Sequence, residues 1–246
     1  MANIAIIPAR SGSTRVPNKN IAEFRGVPML SRTIDTLKAC EFVDRIIVST
    51  DSQKYADFAL KCGAEVPFLR SASLASDSSN TIDVVVDVID RIRLSANDRV
   101  ACVYATNPLL DSRIIDLGNR LLTKSSANSY VTPIVKYGFP PQRSISVKNQ
   151  DQATMTNPEF MYEHSQNLAP LFHESAQFWW AYVATWIAKV GMQENIVPII
   201  LKEWMQQDID TIDDWITAEA KFDHKARFPD TWDQEIANLI SKYPHA

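Results

Sequence analysis

Short apolar runs alternate with longer amphipathic segments through the first half of the chain. Strands are predicted at 4–8, 45–49 and 99–104, the first of them continuously apolar, as is typical of a strand buried on both faces. Helices are predicted at 29–40, 53–62, 81–92 and 113–123, and Gly63 follows the second as a natural terminator. This alternation indicates right-handed βαβ units and an α/β fold with a mostly parallel sheet.

The alternation stops after residue 135. Residues 138–172 contain several prolines and amides with little periodicity, and compact domains rarely hold an irregular segment this long. We therefore expect an excursion that serves a function or a partner. Regular patterning returns at 177–183 and 197–201, and a final helix is predicted to begin at Thr211, which with Asp214 resembles a capping box.

Composition narrows the class of protein. A chain of 246 residues with 46% hydrophobic and 22% charged positions is globular, which excludes disordered, collagen-like and disulfide-scaffold proteins. The net charge is −4, so the chain lacks the excess of basic residues that is typical of a nucleic-acid binder. Three scattered cysteines without a CxxC pair predict a reducing compartment. With no apolar run of about 18 residues and no signal peptide, we expect a cytoplasmic protein without membrane contact.

A basic loop follows the first predicted strand. Residues 8–20 place Arg10, Arg15 and Lys19 among small residues. Small residues let backbone N–H groups approach an anion that the cations neutralise, and ligands of parallel sheets bind where strands end. The loop matches neither the Walker A nor the GxGxxG pattern. It predicts a di- or triphosphate site, with a solvated basic loop as the alternative.

Two carboxylates, Asp208 and Asp210, are the second candidate. Residues two apart on extended backbone project to one face, and Mg²⁺ prefers one or two carboxylates completed by water and phosphate oxygens. The alternative is that Asp210 only caps the helix that begins beside it. Asp51, just after the second predicted strand, has two interpretations. It either binds a ribose hydroxyl or caps the following helix, and the cap is favoured.

Three further features have ordinary structural interpretations. Arg70 is either a base or phosphate ligand or a surface arginine, and His173 beside Glu174 has no nucleophile to serve. The aromatic cluster at 178–182 is more typical of a core or a dimer interface than of a cofactor site.

The chain resembles a known family in several segments. The opening Ile6-Ile-Pro-Ala-Arg-Ser-Gly-Ser-Thr-Arg-Val-Pro-Asn-Lys-Asn20 resembles the signature of the cytidylyltransferases that activate nine-carbon sialic-type acids. The resemblance continues, in family order, through 47–51, 63–70, 104–108 and 208–215. Within the family, 139–143, 165–170 and 173–180 are most similar to the pseudaminic acid branch.

This resemblance implies a fold, a reaction and a partner. The fold is the Rossmann-like nucleotide-diphospho-sugar transferase fold, a mostly parallel sheet flanked by helices. The reaction joins CTP to a free nonulosonic acid, most similar to pseudaminic acid, with Mg²⁺, giving the CMP-sugar and pyrophosphate. A homodimer is implied, with 138–172 as an insertion that reaches over the partner's active site. The catalytic domain would be 1–137 and 173–224, followed by a C-terminal tail, 225–246.

The resemblance also implies roles for individual residues. The catalytic set is Arg10, Lys19, Asp208 and Asp210, of which Asp208 and Asp210 would hold the metal. The nucleotide would be bound by Ala9, Arg10, Ser13, Arg15, Lys19, Asn20, Arg70 and Ser79. The sugar acid would be contacted by Tyr104, Arg143, His173 and Gln177.

Three positions depart from the family pattern. Thr14 replaces a lysine, and Ser11 stands where many relatives have a glycine, which a positive φ would favour. Tyr104 replaces an amide, which argues against N-acetylneuraminate. The alternatives are legionaminate, N-acetylneuraminate or a keto-deoxy-octulosonate as substrate, or a nucleotide-binding relative without turnover. A sugar-1-phosphate nucleotidyltransferase would leave 165–180 unexplained.

Overall fold

The computed structural model describes residues 1–76, 79–189 and 195–244. The strands that it contains are β1 (Asn3–Pro8), β2 (Glu23–Phe24), β3 (Val27–Pro28), β4 (Arg45–Ser49), β5 (Arg99–Val103), β6 (Tyr130–Lys136), β7 (Ile145–Asn149), β8 (Gln152–Met155), β9 (Phe172–Glu174), β10 (Phe178–Tyr182) and β11 (Ile196–Leu201). The helices are α1 (Met29–Lys38), α2 (Gln53–Lys61), α3 (Thr81–Ile92), α4 (Ser112–Lys124), α5 (Val183–Ala188), α6 (Ile212–Arg227) and α7 (Pro229–Ser241).

One mixed sheet organises the chain. Its strand order is β11-β6-β10-β5-β1-β4, and β9 also pairs with β6. Strands β4, β1, β5, β6 and β11 share one direction, whereas β10 and β9 run against them. The predicted α/β fold with a mostly parallel sheet is confirmed. The reversed direction of β10 is the feature that no periodicity in the sequence indicated.

Strand β1 lies at the centre of two apolar layers. Ala5 and Ile7 pack with α1 and α4 on one face, whereas Ile4 and Ile6 pack with α3 and α5 on the other. All four side chains are completely buried. Because β1 is covered on both faces and paired on both edges, its continuous apolar sequence is the pattern that such a strand requires.

Several predicted boundaries agree with the structure. Residues 45–49 and 81–92 form a strand and a helix with the predicted bounds. Gly63 follows α2 at a φ of +83°, the left-handed conformation that glycine adopts without strain. Thr211 caps α6 in a capping box with Asp214, as predicted. The aromatic cluster of β10 belongs to the core, where Phe178 and Trp180 are fully buried.

The excursion leaves the sheet between β6 and β9. Residues 138–171, called the arm below, contain the β7–β8 hairpin and short 3-10 turns at Pro141–Arg143, Pro158–Phe160 and Ser165–Asn167. Several of its large apolar side chains face solvent. Its assignment as a dimerisation insertion stays a prediction.

The C-terminal part of the chain packs on the main body. Helix α6 continues past residue 224, and α7 inserts Trp232, Ile236 and Leu239 into the larger apolar cluster. Among the described helices, none combines the length and apolar character needed to cross a bilayer.

The contact between α4 and β10 generates a stability prediction. A Cβ added at Gly118 would lie 2.8 Å from ring atoms of both Phe178 and Trp180. Overpacking costs about 1–3 kcal/mol, and the opposing gain in helix propensity is at most about 1 kcal/mol. We therefore expect Gly118→Ala to lower the free energy of unfolding in urea. Gly138→Ala, whose Cβ would have no neighbour closer than 3.9 Å, is the control; equal midpoints for the two variants would contradict this packing.

Candidate active site

A cleft of about 360 Å³ opens beyond the carboxyl ends of β1 and β5. Its walls come from the loop after β1, the segment before α3, the end of β5 and the loop before α6. Of the residues predicted to form the site, those that line it are Arg10, Ser13, Arg15, Lys19, Asn20, Arg70, Ser79, Tyr104, Asp208 and Asp210. The structure thus brings together groups that are up to 200 positions apart in the sequence.

The loop after β1 is held by hydrogen bonds at both ends. Ala9, fully buried behind the cleft, donates its N–H to the Ser49 carbonyl at 2.9 Å. The Asn20 side chain donates to the Arg10 carbonyl, also at 2.9 Å. These bonds hold the intervening cations beyond the carboxyl end of β1, so the loop is not a free basic segment. Its binding of a phosphate stays a prediction.

Asp51, two residues after the end of β4, holds the same loop by accepting hydrogen bonds from it. Its carboxylate accepts from the backbone N–H of Ser11 at 2.8 Å and from the Ser11 hydroxyl at 2.9 Å. Burial raises the pKa of Asp51, but the bonds from Ser11 outweigh that effect and the net pKa is lowered. The cap interpretation of Asp51 is wrong, because Ser52 caps α2 by accepting from Tyr55. Ser11 does not adopt a positive φ, so the backbone tolerates it without glycine.

Asp210 is paired with two cations of the loop. Its carboxylate lies 2.8 Å from Lys19 Nζ and 3.0 Å from Arg15 Nη2. Lys19 also donates to the carbonyl of Ile209. Burial would raise the pKa of Asp210, yet Lys19 and then Arg15 outweigh it and the pKa is lowered. Asp210 is therefore ionised, and its side chain does not serve as the cap of α6, which Thr211 provides.

Asp208 has a different environment. It accepts a 2.6 Å hydrogen bond from the hydroxyl of Thr106, whose carbonyl in turn accepts from the N–H of Ile209. Burial raises the pKa of Asp208, and the hydrogen bond from Thr106 and the charge of Lys19 only partly oppose this effect. Thr106 therefore orients the first carboxylate. Its motif was recognised in the sequence, but its role was not, because the partner lies 102 positions away.

Arg70 lies at the inner end of the cleft, only 6% exposed. Its guanidinium donates to the hydroxyl of Ser49 at 3.0 Å and to the Ser49 carbonyl. Burial lowers the pKa of Arg70, while Asp51 acts in the opposite direction. This excludes the interpretation as an ordinary surface arginine and leaves Arg70 as a fixed cation facing the cleft.

Tyr104 and a group of side chains missed by sequence reasoning complete the walls. Burial raises the pKa of Tyr104, so its phenol stays protonated, and it is hydrogen bonded with Thr81. Thr14, which departs from the family pattern, also lines the cleft. The lining residues that no motif indicated include Leu74, Ser76, Thr81 and Val84, which lie on or just before α3.

Three residues predicted to contact the sugar lie outside the cleft. Arg143 lies on the arm, where its guanidinium donates to the carbonyls of Phe160, Met161 and Glu163. Gln177 is 1% exposed and donates to the Met205 carbonyl at 3.1 Å, so it supports the segment that leads to the carboxylates. Arg143 and Gln177 thus donate their hydrogen bonds to main-chain carbonyls, and their contact with a sugar stays a prediction.

His173 lines a recess of about 330 Å³ that adjoins the cleft. The recess and the cleft share Asp208 and Asp210. The His173 ring packs against Tyr137, with centroids 4.8 Å apart, and its Nδ1 lies 2.7 Å from the Glu174 carbonyl. A ligand in the recess would therefore meet a nucleotide in the cleft at the carboxylate pair.

The donor set of the pair suits Mg²⁺. No group of three or more His, Cys, Asp or Glu side chains arranged for a metal occurs among the described residues. Two carboxylates facing a phosphate-sized cleft are what Mg²⁺ commonly takes from a protein when waters and substrate phosphates supply the other oxygens. Asp208 and Asp210 therefore fit that ion.

Comparisons with known proteins agree with this geometry. A pseudaminic acid cytidylyltransferase of Campylobacter jejuni is 29% identical over 93% of this chain and its own full length. A CMP-N,N'-diacetyllegionaminic acid synthase of Legionella pneumophila is 44% identical, but over 36% of this chain and 38% of its own. The fold matches CMP:2-keto-3-deoxy-manno-octonic acid synthetase complexed with CTP at a TM-score of 0.69 and 15% identity, over 92% of this chain and all of that one.

The family model for cytidylyltransferases matches residues 4–222, which include every described wall of the cleft. The expected nucleotidyltransferase fold is confirmed by the same comparisons. The chain therefore belongs to the cytidylyltransferase family.

Proposed function

We propose that this enzyme transfers the cytidylyl group of CTP to the anomeric hydroxyl of a free nonulosonic acid, pseudaminic acid, and releases pyrophosphate. The observation that carries the proposal is the composition of the cleft. Four cations, Arg10, Arg15, Lys19 and Arg70, and two carboxylates face one space at the ends of parallel strands. This arrangement suits a nucleoside triphosphate with its counter-ion.

The reaction needs positioning and charge neutralisation more than covalent chemistry. The sugar hydroxyl gives its proton to a carboxylate of the pair or to a bound water and forms a bond to the α-phosphorus, while the bond from that phosphorus to pyrophosphate breaks. Arg10, Arg15 and Lys19 would bind the phosphates and stabilise the charge of the leaving group. Arg70 and Ser79 line the same cleft and would contact the base.

The two carboxylates have unequal roles in this proposal. Asp208 and Asp210 would hold Mg²⁺, which when bound neutralises phosphate charge as a Lewis acid. In the protein without metal, burial raises the pKa of Asp208, whereas Lys19 and Arg15 lower the pKa of Asp210 and keep that carboxylate ionised. In the free protein Lys19 and Arg15 occupy Asp210. They would exchange it for the triphosphate when the nucleotide and its ion enter.

The choice of pseudaminic acid rests on the extent of similarity. The Campylobacter jejuni relative aligns over 93% of this chain, whereas the similarity to the legionaminic acid synthase covers 36%. The recess beside the carboxylates offers His173 and room for a sugar acid.

A homodimer also belongs to the proposal. The arm exposes Phe139, Val147 and Tyr162, at 66%, 71% and 90% of their surfaces. Apolar side chains grouped on one projecting element commonly mark an interface. Sedimentation equilibrium separates a dimer from a single chain of 27.7 kDa, and a monomer at micromolar concentration would remove this part of the proposal.

Pyrophosphate release tests the reaction and the substrate together. The assay supplies CTP, Mg²⁺ and one free acid at a time: pseudaminate, legionaminate, N-acetylneuraminate or a keto-deoxy-octulosonate. We expect release with pseudaminate above the other acids and none with a sugar 1-phosphate. Release with another acid alone would keep the reaction and replace the substrate. If no acid gives pyrophosphate release while CTP still binds, the result would favour a nucleotide-binding relative that has lost turnover.

Asp210→Asn tests the carboxylate pair. The substitution keeps the shape but removes the charge that faces Lys19 and Arg15. Loss of a group that supports a metal ligand typically costs about 10–100-fold, so loss of a ligand itself should lower kcat/KM by about a hundredfold or more, with the circular dichroism spectrum unchanged. Asp213→Asn, on the exposed first turn of α6, is the matched control. Full activity and an unchanged Mg²⁺ requirement in Asp210→Asn would refute the assignment.

Thr106→Val tests the orientation of Asp208. Valine is nearly isosteric with threonine but cannot donate the 2.6 Å hydrogen bond. Since partners of metal ligands typically contribute about 10–100-fold to metal affinity, the Mg²⁺ concentration for half-maximal rate should rise by about tenfold or more. Thr106→Ser, which retains the hydroxyl, should restore it. If the valine and serine variants respond alike to Mg²⁺, Thr106 has no part in positioning.

A further inference from the structure

A second cavity lies on the other side of the segment that follows β5. It has a volume of about 400 Å³ and is formed by α1, the start of α4, the end of α6 and the start of α7. None of its lining residues lines the catalytic cleft. The segment between β5 and α4 borders both spaces: Thr106 faces the cleft, whereas Pro108 and Leu110 face the second cavity.

The carboxylates of the second cavity are already neutralised. Asp111 accepts from Arg113 Nε and Arg113 Nη2, both at 2.9 Å, and from the indole N–H of Trp232 at 2.8 Å. The guanidinium of Arg113 also lies 2.9 Å from Asp233. One arginine thus pairs directly with both acids, and Asp111 acts on Lys225 only through its charge at longer range.

The remaining cations of the cavity are Arg32 and Lys225. Within the described part of the chain, neither has a carboxylate within 4.0 Å. Arg32 donates through Nη2 to the Phe24 carbonyl and its guanidinium lies 4.6 Å from the centre of the Phe222 ring, but its Nε is buried without a hydrogen-bond partner among those residues. Lys225 places its ammonium 4.0 Å from the centre of the Trp232 ring. Burial lowers the pKa of both groups, which shows that their charges are partly desolvated.

Desolvated cations without a direct ion pair are costly, and a bound anion reduces that cost through charge-assisted hydrogen bonds. The rest of the wall is apolar: Leu110 and Trp232 are almost fully buried, and Phe222 and Pro229 lie beside them. The volume lies within the range of small-molecule sites. With three cations and two carboxylates, the lining keeps one positive charge.

We propose that this second cavity binds a small organic acid, whose single anionic group faces Arg32 and Lys225 and whose flat apolar body packs against Pro108, Phe222 and Pro229. The site is separate from the proposed substrates, since an anionic nucleotide has its own cleft. A neutral molecule of the same shape would leave the two cations as they are, so charge decides the affinity.

Calorimetry on the full chain tests the site with a matched pair of probes. The acid is 1-naphthoate and the neutral analogue is 1-naphthalenemethanol. A charged hydrogen bond contributes about 1.5–3 kcal/mol, which corresponds to a preference for the acid of about ten- to a hundredfold. Saturating CTP should leave naphthoate binding unchanged. Equal binding of the two probes, no binding of naphthoate, or its displacement by CTP would each overturn the proposal.

Substitutions locate the binding. Lys225→Met keeps the aliphatic stem and should abolish the preference for the acid, whereas Lys225→Arg should retain it. Lys61→Met, at the exposed end of α2, is the control and should bind as the unaltered protein does. If Lys225→Met disturbs folding, Arg32→Gln carries the same test. Naphthoate binding that is unchanged in both Lys225→Met and Arg32→Gln would place the anion elsewhere and refute the site.

Discussion

The double coverage of β1 is the constraint on which the rest of the molecule depends. Its side chains are buried in two apolar layers, and both of its edges are paired with parallel strands. Because both faces and both edges of β1 are covered, the chain can change direction only after the carboxyl end of the strand. The basic loop begins at that point. The positions of Arg10, Arg15 and Lys19 therefore follow from the burial of the strand that precedes them.

The cleft is built from opposite charges that already satisfy one another in part. Asp210 is held by Lys19 and Arg15, and Asp51 is held by Ser11. Such pairing keeps the loop in place and limits the electrostatic repulsion among the four cations that line the cleft. Phosphates compete with Asp210 for the same cations, so binding would exchange partners without creating an unpaired charge.

The reversed strand β10 links the core to the site. It inserts between β5 and β6, and its aromatic side chains fill the core on both sides. Just before it, Ala176 adopts a positive φ of 48°, a conformation that costs a non-glycine residue energy. Next to this residue Gln177 reaches the Met205 carbonyl, so the turn into β10 supports the segment that carries Asp208 and Asp210.

The sequence by itself determined the elements and the chemistry that is local in the chain. Buried strands, capped helices and the loop holding Arg10 and Lys19 are readable because periodicity, capping and loop composition act between neighbouring residues. Tertiary structure decided the direction of β10, the role of Asp51 as a fastener of Ser11, and the bond from Thr106 to Asp208. It also paired both carboxylates of the second cavity with Arg113, so that within the described residues Arg32 and Lys225 form no direct ion pair. Each of these features depends on groups brought together from distant parts of the chain. Local sequence patterns do not indicate which distant polar groups will be in contact.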